Sequence, residues 1–377
     1  MVSRNDPGAY RDLLSLDEVD RALTTLNLSY PEIRLARGDQ PPKSADYTFP
    51  DGRIDLLAVT KLFANGVTIV LDQMQRRLPA FGALCRDLES ELGIAFQTNI
   101  YLTPPDAGGF KVHYDTHDVF VLQIAGSKGW ELFESQIELP VSGQYHDLLS
   151  VEPSKVTHRF TVHAGDFAYI PRGIYHQARA SGELSLHVTL GAMVRTWCEF
   201  MLEAISELSL RDVAFRHALP VGIGTGQFDR AQAEKEFHSL LRRLAERIDF
   251  EGTARSFSKE FVRTHDGALR DQLVQVAALK DLSGESIVVA RSGAVRVVER
   301  VADKLIVFHL NTAIEFPAHV EKSLSAALSG APMRVAEMGG ELDLAGKIAL
   351  ARRLIEEGLL LKIDGDETMR RHSRRSA

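Results

Sequence analysis

Between residues 96 and 194 the chain carries a series of short strand-like segments, each ended by turn residues. The segments that follow a strand pattern are 97–102, 112–124, 130–133, 159–162, 166–171 and 184–191. Gly126, Gly165 and Gly173 are among the turn residues between them. Many short strands joined by such turns are typical of a β-sandwich or a jelly roll, and the GxGxxG and GxxxxGK[ST] motifs of phosphate-binding parallel sheets are absent from the sequence. The sequence therefore predicts a β-sandwich or jelly-roll core over about 96–194.

Helical patterns flank this strand region on both sides. From Arg11 to Glu91 the apolar residues follow mainly helical spacing, as in the segment 78–92. Helical spacing returns after residue 195. From about residue 284 the order is strand, strand, helix, helix, strand, over 286–289, 304–310, 317–328, 344–357 and 359–363. That order is compatible with a winged helix, so the predicted fold class is mixed α+β.

Composition limits the class of protein. The chain has 377 residues, of which 45% are hydrophobic and 25% charged, as in ordinary globular proteins. A net charge of −7 argues against a protein built mainly to bind nucleic acid. The two cysteines, Cys85 and Cys198, lie outside any CxxC motif and do not suggest a disulfide scaffold. We find neither a signal-peptide core nor an apolar run of about 18 residues, and expect a cytoplasmic protein without a membrane segment.

The most informative motif is His113-Tyr-Asp115, separated by 60 residues from His176. In a strand, residues two apart point to the same face, so His113 and Asp115 can bind one ion together. His176 completes the set if its strand lies beside the first. Two imidazoles and one carboxylate on one side of a metal leave open positions, an arrangement typical of non-haem Fe(II) oxygenases. His117 has the same strand parity and is a rival ligand, and an HxD pair alone is also common on a solvated strand.

Three longer segments resemble a known family. They are NIYLTPPDAGGFKVHYD at 99–115, VFVLQIAGSK at 119–128 and GDFAYIPRGIYHQ at 165–177. In this order and spacing they resemble the JmjC-type, cupin-like oxygenases typified by the ribosomal oxygenases. The resemblance implies a double-stranded β-helix core, Fe(II) held by His113, Asp115 and His176, and catalysis with 2-oxoglutarate and dioxygen.

The resemblance also assigns roles to residues around the metal ligands. Lys128 takes the position that pairs with the distal carboxylate of 2-oxoglutarate, although its spacing alone also suits an exposed turn lysine. Asn99 and Thr189 are expected near the cosubstrate. Tyr101 and His187 are expected near the substrate, with core hydrogen bonding as the alternative for each. The alternation of 184–190 leaves open whether its polar face lies towards a cavity or towards solvent.

The sequence departs from the family at Gly191. Some family members carry a substrate-contacting serine at the end of this strand. The substrate of those members is therefore in doubt for this chain.

The resemblance and the patterns together predict four regions. Residues 1–195 form the catalytic domain, 196–280 a helical dimerisation region, 281–366 a winged-helix-like domain and 367–377 a basic flexible tail. The charges of 344–357 are mixed, so we interpret the winged helix as a module that packs against protein.

The predicted activity is hydroxylation of a side chain in a protein or peptide substrate, with a ribosomal protein as the leading candidate and a homodimer as the assembly. A peptide or small natural product is the alternative substrate, and loss of an N-methyl group by hydroxylation is a third reading. The alternative of a different class is a non-catalytic metal-binding cupin that regulates through its winged helix.

Overall fold

The computed structural model describes residues 1–38, 40–135, 137–144, 155–265, 267 and 269–363. The chain divides into two compact units, Met1–Val194 and Arg195–Ala377. The tail predicted at 367–377 lies outside the described residues. No helix within the described ranges is long and apolar enough to cross a membrane.

The first unit combines helices with two antiparallel sheets. Its helices and strands are β1 (Val2–Ser3), α1 (Leu16–Thr25), β2 (Ile33–Ala36), α2 (Leu56–Ala64), β3 (Thr68–Leu71), α3 (Pro79–Leu92), β4 (Ala95–Thr103), β5 (Asp118–Ala125), β6 (Ser127–Phe133), β7 (Val156–His163), β8 (Phe167–Ile170), β9 (His176–Ala180) and β10 (Ser185–Met193).

The strands of the first unit form a jelly roll. The larger sheet has the order β1-β8-β5-β10-β4-β3-β2, and the smaller sheet has the order β7-β6-β9. β10 pairs antiparallel with both β4 and β5, so it lies in the middle of the larger sheet. The predicted jelly-roll core is thus confirmed.

The two faces of β10 have different neighbours. Leu186 and Val188 pack into a core that includes Phe81 of α3 and Leu71 of β3. His187 and Thr189, on the opposite face, line an internal cavity. The polar face of this strand therefore lies towards a cavity, which settles the question that the sequence pattern left open.

Two strands lie in the segment for which the sequence favoured helices. β2 and β3 extend the larger sheet next to β4, and all four residues of β3 are buried. A short buried strand cannot be distinguished from a buried helix turn by apolar spacing alone. The jelly-roll sheet therefore reaches beyond the predicted range of 96–194.

The second unit begins with helices and continues with two small sheets. Its elements are α4 (Trp197–Arg211), α5 (Arg230–Arg247), α6 (Phe250–Thr264), α7 (Gln272–Ala277), β11 (Ile287–Ala290), β12 (Arg296–Val301), β13 (Lys304–His309), β14 (Thr312–Pro317), α8 (Glu321–Ala327), β15 (Met333–Arg334), α9 (Leu344–Glu356) and β16 (Leu360–Ile363). The sheets have the orders β15-β11-β16 and β12-β13-β14.

The strand, strand, helix, helix, strand order predicted from residue 284 was incomplete. β12, β14 and β15 were missed, and Pro317 ends β14 where we had expected it to begin a helix. β14 alternates buried Ile314 and Phe316 with exposed residues. Proline is tolerated here because β14 is an edge strand of its sheet.

Candidate metal centre

His113, Asp115 and His176 lie together in the first unit. One possible ligand atom from each lies within 4.8 Å of those from the other two. His176 Nε2 and Asp115 Oδ2 are 3.6 Å apart. The structure therefore brings together the three residues that the sequence motif singled out.

The backbone around the trio is not the strand that we predicted. β5 begins only at Asp118, so 112–117 is irregular and strand parity does not explain the pairing of His113 with Asp115. His113 instead forms an isolated antiparallel bridge with His176, the first residue of β9. Gly173 N donates to Asp115 O at 2.9 Å. The bridge and the turn therefore supply hydrogen-bond partners for the N–H and C=O of His113 and the C=O of Asp115 without a continuous strand.

Both histidine rings are oriented by backbone carbonyls. His113 Nδ1 lies 2.8 Å from Lys111 O, and His176 Nδ1 lies 2.9 Å from Ile174 O. Such bonds fix the tautomer and leave Nε2 as the metal-binding nitrogen. Burial, followed by the neighbouring His113, lowers the pKa of His176 to about 4. The ring of His176 is therefore neutral at physiological pH, which is the form that binds metals.

The trio lies in a cavity of about 300 Å³. Residues of β4 and β10 line it in successive rows: Tyr101 with His187, then Asn99 with Thr189, then Gln97, whose partner on β10 is Gly191. Since residues two apart on a strand share a face, these rows form one continuous wall.

Lys128 is a buried cation at the Tyr101 end of this wall. It is 3% exposed, and its Nζ donates to Thr103 Oγ1 at 3.0 Å and lies 3.5 Å from His187 Nδ1. Among the described residues no carboxylate forms an ion pair with it, and burial lowers its pKa to about 7. The exposed-turn reading of Lys128 is wrong. An anion in the cavity would stabilise a buried ammonium of this kind.

Tyr101 and His187 form a stacked pair beside Lys128. Their ring centroids are 4.6 Å apart with an interplanar angle of 6°. Burial and the nearby Asp115 raise the pKa of Tyr101 to about 12, whereas burial and Lys128 hold the pKa of His187 well below its usual range. Both rings are therefore uncharged at neutral pH.

Asn99 and Thr189 lie one row further along the cavity wall. Asn99 Oδ1 accepts a hydrogen bond from Gln73 N at 3.0 Å, and this bond orients the amide. Thr189 is buried and contacts the Tyr101 hydroxyl. Both side chains line the cavity that contains the metal-binding trio.

Sequence reasoning missed several residues of the cavity. Arg34 and Asp72 line it as an ion pair in which Arg34 Nη2 donates to Asp72 Oδ1 at 2.7 Å. Phe110 packs edge-on against Tyr101, with centroids 6.3 Å apart. Arg34 lies in β2 and Asp72 directly follows β3, and neither strand was predicted, so no sequence signal indicated these two residues. Thr103, which accepts the hydrogen bond from Lys128, was also missed. Its strand parity, shared with Asn99 and Tyr101, could have indicated it.

The residues of the cavity fit a divalent metal and an anionic organic ligand. Two imidazoles, one of them held neutral, and one carboxylate form a ligand set used by non-haem iron. Lys128 supplies a positive charge in the same cavity. Trp130 lines this cavity too, and its buried Nε1–H has no hydrogen-bond acceptor among the described residues.

Comparison with known families agrees with the fold. Residues 71–200 match the family model described as "JmjC domain". The chain is 29% identical over 265 residues to ribosomal oxygenase 2 of Rattus norvegicus, covering 66% of this chain and 55% of that protein. It is 30% identical over 228 residues to the bifunctional lysine-specific demethylase and histidyl-hydroxylase NO66 of Culex quinquefasciatus, covering 58% and 35%. The chain therefore spans about half the length, or less, of these curated relatives.

A solved structure shares the fold over nearly the whole chain. It is the Escherichia coli ribosomal oxygenase YcfD in complex with cobalt and 2-oxoglutarate, with a TM-score of 0.54 and 18% identity, covering 96% of this chain and 94% of that one. At this identity the likeness establishes the fold.

Proposed function

Because residues 71–200 form a JmjC domain and the chain resembles the ribosomal oxygenases, we propose that it is an Fe(II)- and 2-oxoglutarate-dependent dioxygenase that hydroxylates a side chain of a protein substrate. One observation carries the proposal. The trio His113, Asp115 and His176 lies in the same cavity as Lys128, a buried cation that has no carboxylate partner among the described residues.

In this proposal His113, Asp115 and His176 hold Fe(II). Lys128 pairs with the distal carboxylate of 2-oxoglutarate, and Asn99 and Thr189 border the cosubstrate. When bound, iron and 2-oxoglutarate supply the oxidising chemistry: dioxygen is consumed, 2-oxoglutarate becomes succinate and carbon dioxide, and a substrate C–H becomes C–OH.

The protein's own contribution is placement and the exclusion of water. The carbonyls of Lys111 and Ile174 keep the two imidazoles in the metal-binding tautomer. Thr103 orients the Lys128 ammonium towards one position in the cavity. The stacked rings of Tyr101 and His187 form a water-excluding wall beside that ammonium, and low polarity strengthens its attraction for a carboxylate.

A ribosomal protein is the leading candidate substrate. The relatives are named ribosomal oxygenase and histidyl-hydroxylase, which supports a protein side chain as the target. The net charge of −7 is complementary to basic ribosomal proteins. Tyr101 and His187, placed by the resemblance next to the substrate, line the cavity together with the trio.

Mass spectrometry tests the substrate class. Fe(II)-loaded protein is incubated with 2-oxoglutarate and with proteins extracted from purified ribosomal subunits, and a mass increase of one oxygen is sought. The matched control is His113→Ala, which removes a metal ligand. An oxygen added only by the wild-type protein supports the proposal, and unchanged ribosomal proteins contradict their assignment as substrate.

Two other functions are separated by related measurements. A hydroxylase of a peptide or small natural product would form succinate but leave ribosomal proteins unmodified. A non-catalytic cupin that regulates through DNA would form no succinate and would bind DNA in a salt-sensitive manner.

We propose that residues 196–280 of the second unit are a helical dimerisation region. α4 exposes large apolar side chains, with Trp197 75%, Leu202 62% and Leu210 72% accessible, and α5 exposes Phe237 at 59%. Exposed apolar residues on neighbouring helices are typical of a surface that another chain covers. A homodimer is therefore the proposed assembly.

Residues 281–366 are proposed as a winged-helix-like domain that packs against protein. The basic residues of α9 are engaged within the unit: Lys347 donates to Ala336 O, Arg352 to Leu279 O, and Arg353 pairs with Glu357. They are therefore poorly placed to bind phosphate.

In this proposal residues 1–195 are the catalytic domain. A cytoplasmic location stays a prediction.

A further inference from the structure

Phe110 lies where three cavities of the first unit meet. It lines the metal cavity and two outer cavities. The outer cleft has a volume of about 360 Å³ and is lined also by Tyr30 and Lys43. The outer groove has a volume of about 1420 Å³ and is lined also by Arg159 and Arg179. The metal cavity therefore adjoins the cleft and the groove at one residue.

Residues 107–110 form a strap between the edge strands of the two sheets. Gly38, which follows the edge strand β2, donates its N–H to Gly109 O at 2.8 Å. Ala180 of the edge strand β9 donates its N–H to Ala107 O at 2.9 Å. The cleft borders this strap at Gly109, and the groove borders it at Ala107. The strap therefore lies beside both outer cavities, with Phe110 at its end.

The ring of Phe110 connects the strap to the metal cavity. It is 36% exposed and packs against Tyr101 and His113, whose ring centroids are 6.3 Å and 5.6 Å from its own. The Arg34 guanidinium lies 5.7 Å from the Phe110 centroid. A polypeptide that places one residue in the metal cavity continues in both directions from that residue. The cleft and the groove adjoin the cavity at Phe110, so they are the spaces available to the two continuing segments.

The charges that line the cleft are all positive. They belong to Arg34, Arg37 and Lys43, and no carboxylate is present among the described lining residues. Asp72 neutralises Arg34 from the side of the metal cavity. Arg37 and Lys43 are exposed and form no ion pair with a described carboxylate. The cleft therefore offers two cations to a ligand.

The groove has an excess of two positive charges, because its described lining includes four basic and two acidic side chains. Glu131 accepts a hydrogen bond from Arg159 at 2.7 Å, and Asp106 Oδ1 accepts one from Gly182 N at 2.9 Å. The exposed Arg179 donates to the backbone carbonyl of Asp106 and forms no ion pair with a described carboxylate. Both outer cavities are therefore positive, although the whole chain has a net charge of −7.

The local charge and the whole-chain charge act on different parts of a substrate. Screening at physiological ionic strength limits exposed charges to about 8 Å, so residues beside the target meet the cleft and the groove rather than the average surface. We propose that the cleft and the groove bind the substrate polypeptide on the two sides of its target residue, and that this polypeptide carries aspartate or glutamate beside the target. The inference rests on the proposed function and deepens it.

An RNA strand is also anionic, but the observations favour a polypeptide because both outer cavities adjoin the cavity that receives the target residue. Fluorescence anisotropy separates the two. Protein loaded with Mn(II) and 2-oxoglutarate is titrated into two labelled degenerate peptide pools of equal length, one with Asp and Glu and one with Lys and Arg at the same fixed positions. A labelled single-stranded RNA with the net charge of the acidic pool is the third probe.

We expect the acidic pool to bind about tenfold more tightly than the basic pool. Equal binding of the two pools, including no binding of either, overturns the inference, and so does tighter binding of the basic pool. RNA that binds more tightly than the acidic pool overturns the polypeptide as the occupant.

Charge reversal tests the two cavities separately. Arg37→Glu and Arg179→Glu should each weaken binding of the acidic pool roughly threefold or more and strengthen binding of the basic pool, since each replaces an exposed cation by an anion. Gain of the basic pool is a result that misfolding does not give. The matched control is Lys61→Glu, which changes the net charge equally at an exposed lysine of α2 that lines neither outer cavity. Equal effects of all three variants overturn the assignment to the cleft and the groove.

Succinate formation by the wild-type protein distinguishes failure of the inference from failure of the proposed function. An Fe(II)-loaded protein that forms no succinate from 2-oxoglutarate overturns the proposed function, whatever peptide it binds. Succinate formation without a preference for the acidic pool overturns the inference alone.

Discussion

His113 and His176 are joined by two backbone hydrogen bonds, from His113 N to His176 O at 3.1 Å and from His176 N to His113 O at 2.7 Å. This reciprocal pair holds two of the proposed metal ligands at a fixed separation, although His113 lies outside any strand. The metal-binding geometry therefore depends on the short turn before β9 as well as on the side chains.

Gly173 lies in that turn, and its replacement tests the dependence. Its φ is +84°, and a Cβ would lie 2.6 Å from Ile137 O and 2.7 Å from Pro140 Cδ. We expect Gly173→Ala to destabilise the protein by roughly 3 kcal/mol, from left-handed backbone strain plus steric overlap. Mn(II) affinity, measured by calorimetry, is expected to fall because the His113–His176 bridge shifts.

The matched control for Gly173 is Gly182→Ala. Gly182 has a φ of +68°, but no heavy atom lies within 4 Å of an added Cβ. It should lose only about 1 kcal/mol and keep its metal affinity. Equal losses of stability and metal affinity in both variants would contradict the role assigned to the turn.

The pKa of Lys128 predicts how 2-oxoglutarate binding depends on pH. Burial lowers this pKa to about 7, so the amine is charged below pH 7 and increasingly neutral above it. A bound carboxylate favours the charged form and raises the pKa again. Affinity for 2-oxoglutarate should therefore be constant below pH 7 and fall above it, by up to about tenfold per pH unit.

Calorimetry of 2-oxoglutarate binding to Mn(II)-loaded protein between pH 6 and 9 checks this dependence. Lys128→Arg is the control, since guanidinium stays charged over the whole range and should remove the decline above pH 7. Lys128→Met should weaken binding at every pH. A wild-type affinity that is unchanged from pH 6 to 9 would contradict the proposed ion pair.

The sequence predicted the chemistry of the site better than its local backbone. His113, Asp115 and His176 were grouped by a motif whose spacing can be read directly, and Lys128 by family resemblance. Residues 112–117 do not form the expected strand. Their backbone hydrogen bonds come instead from an isolated bridge at His113 and from a turn that donates to Asp115 O. Such long-range pairing leaves no periodic pattern in the sequence.

Other parts of the cavity depend on packing that the sequence does not express. Arg34 and Asp72 are 38 positions apart and meet because β2 and β3 join the sheet, in a segment whose apolar spacing suggested helices. The inward direction of His187 was undecided for a related reason, since alternation identifies two faces but not which one is enclosed. His117 was considered only as a rival metal ligand, and its contact with Gly191 became visible only in three dimensions.

The exposed apolar surface of α4 gives a prediction about assembly. Leu202 is 62% exposed. If α4 contributes to a dimer interface, Leu202→Glu should convert the protein from dimer to monomer in size-exclusion chromatography with light scattering, because a buried unpaired carboxylate is costly.

His158→Glu is the control for this variant. It adds the same charge at an exposed position of β7, outside the proposed dimerisation region, and should leave the assembly unchanged. A wild-type protein that is monomeric at micromolar concentration would contradict the proposed dimer.

The most direct test of the central claim is the conversion of 2-oxoglutarate to succinate by Fe(II)-loaded protein. Wild type and the surface control His158→Ala should form succinate at the same rate. His113→Ala should lower that rate by about 100-fold or more, because it removes a metal ligand rather than a residue that merely supports one. Equal succinate formation by wild type and His113→Ala would contradict the assignment of His113, Asp115 and His176 as the iron site.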